Sequence, residues 1–526
     1  MTLSVRSPRA FRLTRSTWPK LLLAAVRRNR AVSECDARLL IASNRLPVTV
    51  ANDGPGFSLQ QSVGGLATGL RHVHERSSGK WFGWPGSTSQ LDELARRELG
   101  RELEAQRVVA LELGAAREID LYTRLSNGTL WPVLHDRLDV AASDHRGWSA
   151  YESVNARFAD ALAREYRAGD LVWVHDYHLL RVPALLRERI PDARIGFFFH
   201  TPFPNEDLFS ALPARRDLLV GVLGADLIGF HTVGYRRNFA RTVDRLLGVT
   251  GCDDGNQLRL TLGERSVRLG VYPMGIDTAA FEAQALQSSQ SILQTLEFRT
   301  NGIRTLLGVD RLDYSKGLTQ RLLGFERLLA RHPRWHTRVR LVQVAVPSRL
   351  REAAYRRHRR EIEHLVGRIN GAYATPNWTP VVYMHRCVPI ESLVALYRVS
   401  DVMLVTSLRD GMNLVAKEFV ASRIDGDGVL VLSEFAGAAS QLTDAIHINP
   451  YDVREIAAAI NDALIMPRIE RRIRMRRLRA QVHAQDVHWW ANNFMSALGD
   501  ATRPEAGDSI APAEPNEYDH MNGANA

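Results

Sequence analysis

A series of short, unbroken apolar runs, set apart by longer amphipathic stretches, constrains this chain more than any other feature. The runs occupy 38–42, 171–174, 195–199, 227–230, 305–309, 339–344, 381–384, 402–405 and 429–432. A strand with one wet face alternates apolar and polar residues, whereas a continuous run belongs to a strand buried on both faces. Helical periodicity at 155–167 and 318–331 supplies the cover such strands need. The alternation predicts an α/β fold of doubly wound parallel sheets. At 526 residues the chain exceeds one ordinary domain. Two Rossmann-like domains are expected, over 37–275 and 276–470, facing each other across a cleft. Helices at 471–500 are expected to pack back on the first domain.

The ends read differently. Residues 1–36 carry Arg6, Arg9, Arg12, Arg15, Lys20, Arg27, Arg28 and Arg30, and are expected to be a disordered or amphipathic lead-in without a chemical role. Residues 501–526, rich in Pro, Glu, Asn, Gly and Ala, are expected to form a disordered tail. That tail has no aspartate-based phosphatase motif, so no fused phosphatase is expected. No apolar stretch approaches the roughly 20 residues that span a bilayer, so a cytoplasmic protein without a membrane partner is expected. Cys35, Cys252 and Cys387 lack metal-ligand spacing and read as reduced thiols. The net charge of +10 is spread over the chain. Its densest block, 468–479, interleaves arginines with Ile469, Ile473 and Leu478 and reads as a solvated helix face rather than a nucleic-acid patch.

Residues 405–420, VTSLRDGMNLVAKEFV, leave a strand, turn at a glycine and enter a helix, with Asp410 and Glu418 framing the turn. The glycine permits close backbone approach, and the helix N-terminus favours an anion. Such a turn suits a ligand with both hydroxyls and a diphosphate, a nucleotide sugar. The segment 309–317, VDRLDYSKG, makes the same transition and brings Arg311 and Lys316 to one strand end, a suitable pair for a diphosphate leaving group. A salt-bridged turn with Asp310 and Asp313 is the structural alternative. Gly64 and Gly65 open another helix and, alone, are a weak signal. His175, Asp176 and His178 permit a metal site, but no third nearby ligand type joins them, and Asp176 reads better as a carboxylate that binds hydroxyls. His200 holds the same position on the next strand. Asp425-Gly426-Asp427 precedes its strand and reads as a solvated loop, not a metal pair.

Taken together, the segments SNRLP at 43–47, GGLA at 64–67, WFGWPG at 81–86 and LSNGTLWP at 125–132 resemble the trehalose-6-phosphate synthase family. So do HDYHLL, GFFFHTPFP, DRLDYSKG, RDGMNLVAKE and VLSEFAGAA, in the family's order over about 38–495. The resemblance implies a retaining glycosyltransferase of the GT-B fold, acting on UDP-glucose and glucose-6-phosphate without cofactor or metal. It implies that Arg45 and Arg349 hold the acceptor phosphate beside Tyr122, that Asp176 binds acceptor hydroxyls, and that Trp84 and Trp131 shape the pocket. On the donor side it implies Gly64 and Gly65 at UDP-glucose, Arg311 and Lys316 on the diphosphate, and His200 near the transferred sugar. It further implies Asp410 and the backbone of Met412, Asn413, Leu414 and Val415 on glucose and phosphates, Glu418 on the ribose, and Val388 at the uracil. Arg311, Lys316, Asp410 and His200 form the expected catalytic set.

No carboxylate is placed as a nucleophile beneath the sugar, so front-face substitution is expected rather than double displacement. Leu121, Leu125 and Asp136 depart from the aromatic residues usual in the family and bear on the acceptor. The rival readings are a related transferase with another phosphorylated acceptor, such as glycerol-3-phosphate, and a non-catalytic sugar-phosphate sensor. Nucleotide preference and oligomeric state stay open, a homo-oligomer included.

Overall fold

The apolar runs form two sheets, and neighbouring residues of one strand enter cores on opposite faces. In the second sheet, Leu306, Leu341, Val402 and Leu404 point into one core, while Leu307, Val342, Met403 and Val405 point into the other. All of these side chains are buried, each worth about 1.5–3 kcal/mol. Both-faced burial explains why the sequence carries no polar alternation there. The computed structural model describes residues 38–500, apart from 54–55, 62–64, 87, 89–90, 143–144, 254–257, 288–301 and 350–351. The expectations for 1–36 and 501–526 lie outside the described residues.

In chain order the strands of the first half are β1 (Leu39–Arg45), β2 (Val48–Asp53), β3 (Gly56–Gln61), β4 (Trp81–Trp84), β5 (Val108–Ala110), β6 (Leu171–His175), β7 (Arg194–Phe198), β8 (Leu227–Phe230), β9 (Gly251–Asp253), β10 (Leu258–Leu262) and β11 (Arg265–Val271). They build a sheet in the order β5-β4-β1-β6-β7-β8-β11-β10-β9, with β2 and β3 paired apart from it as a hairpin. All neighbours are parallel except β10, which runs antiparallel to β11 and β9. The second sheet contains β12 (Arg304–Arg311), β13 (Val339–Val346), β14 (Val381–Met384), β15 (Val402–Val405), β16 (Val429–Ser433) and β17 (Ile446–Ile448). Its order is β14-β13-β12-β15-β16-β17, parallel throughout. Both sheets reverse their order of addition near the middle, where open α/β sheets place their ligands.

Five helices matter to the site: α1 (Gly65–Arg76), α2 (Leu318–Arg331), α3 (Leu414–Ser422), α4 (Arg468–Ala484) and α5 (Val487–Asp500). The C-terminal pair corrects one expectation. Helix α4 lies against α3 and β16 of the second lobe; α5 alone lies against β7, β8 and α1 of the first. Trp490, Phe494 and Leu498 of α5 are buried, and Phe494 stacks on Trp173 of β6 at 4.5 Å. The arginine block of α4 is likewise more than a solvated face. Arg471 pairs with Asp427 at 2.7 Å and Arg477 with Asp444 at 3.2 Å, while Leu478 is buried and Ile469 and Ile473 are exposed. No helix among the described residues is long and apolar enough to cross a membrane.

Candidate active site

The second lobe's wall is made by two turns at the C-terminal ends of β12 and β15. Asp313 caps the turn Tyr314–Lys316, accepting the Ser315 N–H at 2.9 Å. Gly317 follows at φ 64°, with Thr406 so close that a Cβ there would stand 1.9 Å from its carbonyl oxygen. The Leu408 N–H donates to Ser315 O at 2.8 Å and the Thr406 hydroxyl to Gly317 O at 2.9 Å. This zipping of the turns sets Lys316 Nζ 2.6 Å from Asp410 Oδ2. The same oxygen accepts Ser407 at 3.2 Å and the Asn413 amide at 3.0 Å. Burial alone would raise the Asp410 carboxyl, but Lys316 and Asn413 hold it below the usual carboxylate range.

Asn413, at φ 72°, caps α3 by accepting the Ala416 N–H. Met412 is buried and Leu414, Val415 and Val388 are half-buried. Arg311 differs from Lys316. It is exposed, and its guanidinium lies 5.4 Å from the centre of the Trp131 ring, across in the first lobe.

Glu418 accepts the Tyr397 hydroxyl at 2.9 Å, and burial pushes its carboxyl up from 4.5 to about 7. A raised folded-state value means that the neutral acid is favoured. The stability it brings is complete below about pH 4.5 and is lost as pH rises through about 7. Glu418→Gln, which keeps the shape without the charge, is expected to raise the melting temperature at pH 8 and not at pH 4. Thermal unfolding at both pH values checks this.

In the first lobe, Asp176 and His200 stand at the C-terminal ends of β6 and β7. Asp176 takes φ 70°, and its Oδ1 accepts the His200 N–H at 3.2 Å. Burial lifts the Asp176 carboxyl to about 6. His200 Nε2 lies 3.0 Å from His175 Nδ1, and burial drops the His200 imidazole well below its ordinary value, so it is neutral. The lobes touch here: a Cβ on Gly411 would be 1.9 Å from His200 O, which requires glycine in the turn.

Beside this contact the Arg45 guanidinium lies 4.0 Å over Trp84, and the Tyr122 hydroxyl donates to Asn44 at 2.8 Å. Arg349 reaches over from the second lobe and stacks on Trp131 at 4.0 Å. It donates to Tyr177 at 2.9 Å and also to the Tyr355 hydroxyl. Its backbone is left-handed, with φ 46°, a strained state that bulky side chains adopt where surroundings force it. Asp313 lies 3.7 Å from Arg349. Burial raises the Asp313 carboxyl, but Arg349, Arg311 and Lys316 together hold it well below the usual range.

The arrangement thus brings Arg311, Lys316, Asp410, Trp131 and Arg349 to one interlobe region, with Asp176 and His200 facing the Gly411 turn. Gly64 lies outside the described residues; Gly65 opens α1, where a Cβ would fall 2.5 Å from Leu414 Cδ1 of α3. His175, Asp176 and His178 do not converge. The His178 ring lies tilted against Tyr177, with centroids 4.0 Å apart, while Asp176 and His175 turn to His200. Among the described residues no group of three or more His, Cys, Asp or Glu could hold a metal ion. The loop 425–427 is also not simply solvated. Asp425 pairs with the buried Arg423 at 3.0 Å and Asp427 with Arg471 at 2.7 Å.

Two participants, Tyr235 and Tyr355, carried no sequence signal. Tyr235 donates its hydroxyl to the Asp410 carbonyl at 2.8 Å, across the lobes, from a helix with no motif. Tyr355 donates to Asp313 at 2.7 Å from the middle of an Arg-rich stretch. Asp136, one of the atypical residues, lies 3.0 Å from Arg409, so it forms an ion pair between the lobes next to Asp410. Leu125, another, lines an apolar cavity of about 380 Å³ with Leu130, Trp148, Leu212 and Leu218.

Comparison with known proteins places this geometry. The model of Glycosyltransferase family 20 matches residues 37–500. The chain is 41% identical over 471 residues to alpha,alpha-trehalose-phosphate synthase (UDP-forming) 1 of Aspergillus niger, covering 88% of this chain and 90% of that one. It is 39% identical to the 56 kDa subunit of the same enzyme of Saccharomyces cerevisiae, covering 89% and 95%. Among solved structures it is similar to an alpha,alpha-trehalose-phosphate synthase from Burkholderia xenovorans in complex with glucose-6-phosphate. The identity is 36% and the TM-score 0.78, over 88% of this chain and all of that one. The E. coli enzyme bound with UDP-2-fluoro glucose gives the same identity and TM-score, over 88% and 99%.

Proposed function

The chain belongs to glycosyltransferase family 20, and from that premise we propose that it moves glucose from UDP-glucose to glucose-6-phosphate, giving α,α-trehalose 6-phosphate and UDP. The GT-B fold and the UDP-forming trehalose-phosphate synthase class are those of its relatives. The observation that carries the finer reading is the Lys316–Asp410 pair at 2.6 Å with Arg311 nearby, at the strand ends that face His200 and Asp176. The relatives bound to glucose-6-phosphate and to a UDP-glucose analogue support the choice of substrates.

In this reading the glycosidic bond from glucose C1 to the UDP oxygen breaks while a bond forms from C1 to the acceptor's anomeric hydroxyl on the same face. The departing phosphate oxygen takes the hydroxyl proton, and the donor's α configuration is kept. Arg311 and Lys316 supply positive charge where the diphosphate gains negative charge, so no metal is required. Asp410 aims Lys316 through their 2.6 Å contact, and its turn holds glucose and phosphate through the backbone of Met412, Asn413, Leu414 and Val415. Glu418 takes the ribose hydroxyls, Val388 lies at the uracil, Gly65 approaches the donor from the start of α1, and Gly64 is proposed to meet the donor with it. Neutral His200 donates or accepts one hydrogen bond at the transferred sugar. Across the cleft, Arg45 and Arg349 bind the acceptor phosphate beside Tyr122, Trp84 and Trp131, and Asp176 binds acceptor hydroxyls.

The Asp136–Arg409 ion pair gives the atypical Asp136 a structural task and removes one reason to seek another acceptor. Purified protein is expected to release UDP fastest with glucose-6-phosphate in a panel of phosphorylated acceptors, and to keep that rate in a chelator. Faster release with glycerol-3-phosphate would replace the proposed acceptor, and no acceptor-dependent release would support a sensor. Loss of rate in a chelator, restored by added divalent cation, would remove the metal-independent mechanism.

A further inference from the structure

Two segments carry the chain between the lobes: 272–277, leading from β11 into the second lobe, and 485–486, leading from α4 back to α5. They run side by side. The Val487 N–H donates to Ile276 O at 3.1 Å, and a Cβ on Gly275 would be 2.2 Å from the Asp486 carbonyl carbon. Met274, at the centre of this crossing, is 2% exposed and is held on three sides.

Its N–H donates to His231 Nδ1 at 3.3 Å, from the end of β8. Its carbonyl accepts Lys417 Nζ at 2.7 Å, from α3. Its side chain presses on α1, where a Cβ on Gly69 would be 2.3 Å from Met274 Cε. These three neighbours are the elements that carry the donor groups. Helix α3 bears Glu418, α1 begins at Gly65, and the His231 ring lies 5.7 Å from His200.

Lys417 is the costly member of this set. It is 1% exposed, and among the described residues its ammonium donates only to the Met274 carbonyl and to the Gln441 side-chain oxygen, the latter at 2.6 Å. No ion pair to it occurs among the described residues. Burial accordingly pulls its pKa down to about 7. A buried cation without a counter-ion lowers stability, and what Lys417 supplies that apolar packing would not is its pair of hydrogen bonds to Met274 and Gln441. Gln441 extends the link to Gln485 of the second crossing.

We propose that Lys417 and His231 are positioning residues that fix the separation of the two lobes by gripping Met274 from opposite sides. They set the distance from the ribose-binding helix α3 to the sugar-facing His200, and they touch neither donor nor acceptor themselves. The kinetic part of this inference rests on the proposed transfer; the geometric part does not.

The test uses the full chain with Cys35→Ser and Cys387→Ser, spin-labelled at Cys252, which is exposed on the first lobe, and at Ile465→Cys, exposed on the second. The parent is expected to give one narrow interlobe distance. Lys417→Met and His231→Phe are expected to broaden it at least about twofold, as a loosened hinge does. His231→Asn, whose Oδ1 can accept the Met274 N–H, is expected to stay close to the parent. Should Lys417→Met not fold, the His231 pair decides alone. Unchanged distributions in the variants overturn the proposal.

In the kinetic arm, Lys417→Met is expected to lower kcat/KM for UDP-glucose on the order of 10–100-fold. The Kd of UDP, whose proposed diphosphate, ribose and uracil contacts Arg311, Lys316, Glu418 and Val388 all belong to the second lobe, is expected to change less than about threefold. Loss of UDP affinity in parallel with kcat/KM would assign Lys417 a local role in α3 instead and overturn the proposal. Absence of transfer in the parent chain would refute the proposed function, and the distance measurement would still judge the grip on Met274.

Discussion

Arg311→Ala lowers turnover by about two to three orders of magnitude, the effect of removing one preorganised donor from a developing anion, and leaves thermal unfolding nearly unchanged. Both halves of this expectation come from the position of Arg311. It is exposed and makes a long ring contact with Trp131 at 5.4 Å, so little packing is lost with it, and Arg349 and Lys316 remain to hold the Asp313 carboxyl. Its charge is nevertheless held at the end of β12, on the same turn as Lys316. Steady-state kinetics with UDP-glucose and glucose-6-phosphate, beside a melting curve, check the two halves separately. A kcat close to that of the parent would remove Arg311 from the mechanism. Arg311→Lys is expected to recover part of the loss, because a point charge replaces the fork of donors without its bidentate geometry.

Lys316→Met is expected to be as damaging to turnover and to destabilise the fold as well. The Lys316 ammonium is buried against Asp410 at 2.6 Å. Removing it leaves a carboxylate in a dry turn with only Ser407 and Asn413 to serve it, a loss on the order of 3–5 kcal/mol. The sign of the pH response follows. Lys316 contributes to holding the Asp410 carboxyl below its ordinary value, so in the parent the stability from Asp410 is present above the unfolded-state value and lost as pH falls through the folded one. In the variant, burial acts with less opposition and the carboxyl rises, so the variant gains stability relative to the parent as pH is lowered. Urea unfolding at pH 5 and pH 8 measures this. Lys316→Met/Asp410→Asn is expected to regain much of the stability and little of the turnover, since the lost cation and not the orphaned anion limits the chemistry.

These contrasts also mark what sequence could and could not reveal. The runs 227–230 and 402–405 are strands over those same residues, because burial on both faces leaves an apolar signature, and 381–384 is one as well, at the sheet edge with only Val381 buried. The antiparallel extension β9–β11 escaped that reading. In Arg265-Ser266-Val267-Arg268-Leu269 of β11 the buried Arg268 interrupts the apolar run, and β9, at the sheet edge, has three exposed residues. Strand β4, Trp81-Phe82-Gly83-Trp84, is built of aromatics and glycine rather than aliphatics and does not register as a run.

At the site, residue types and their places on strand ends were legible, but their pairings were not. Lys316 meets Asp410 across 94 positions of sequence and Tyr235 meets Asp410 across 175. Nothing local encodes such partners; they follow from how two sheets are laid face to face. The same holds for Lys417, buried on α3, whose partners Gln441 and Met274 lie 24 and 143 positions away.

The central claim, retaining transfer from UDP-glucose to the anomeric hydroxyl of glucose-6-phosphate, is tested most directly by NMR of the product. Protein, UDP-glucose and glucose-6-phosphate are incubated together, and the anomeric couplings and phosphorus signals are followed. The expected result is one new disaccharide phosphate with two α anomeric centres joined 1→1, formed in step with UDP. A β-linked product, glucose released to water, or UDP-glucose left intact would contradict the account.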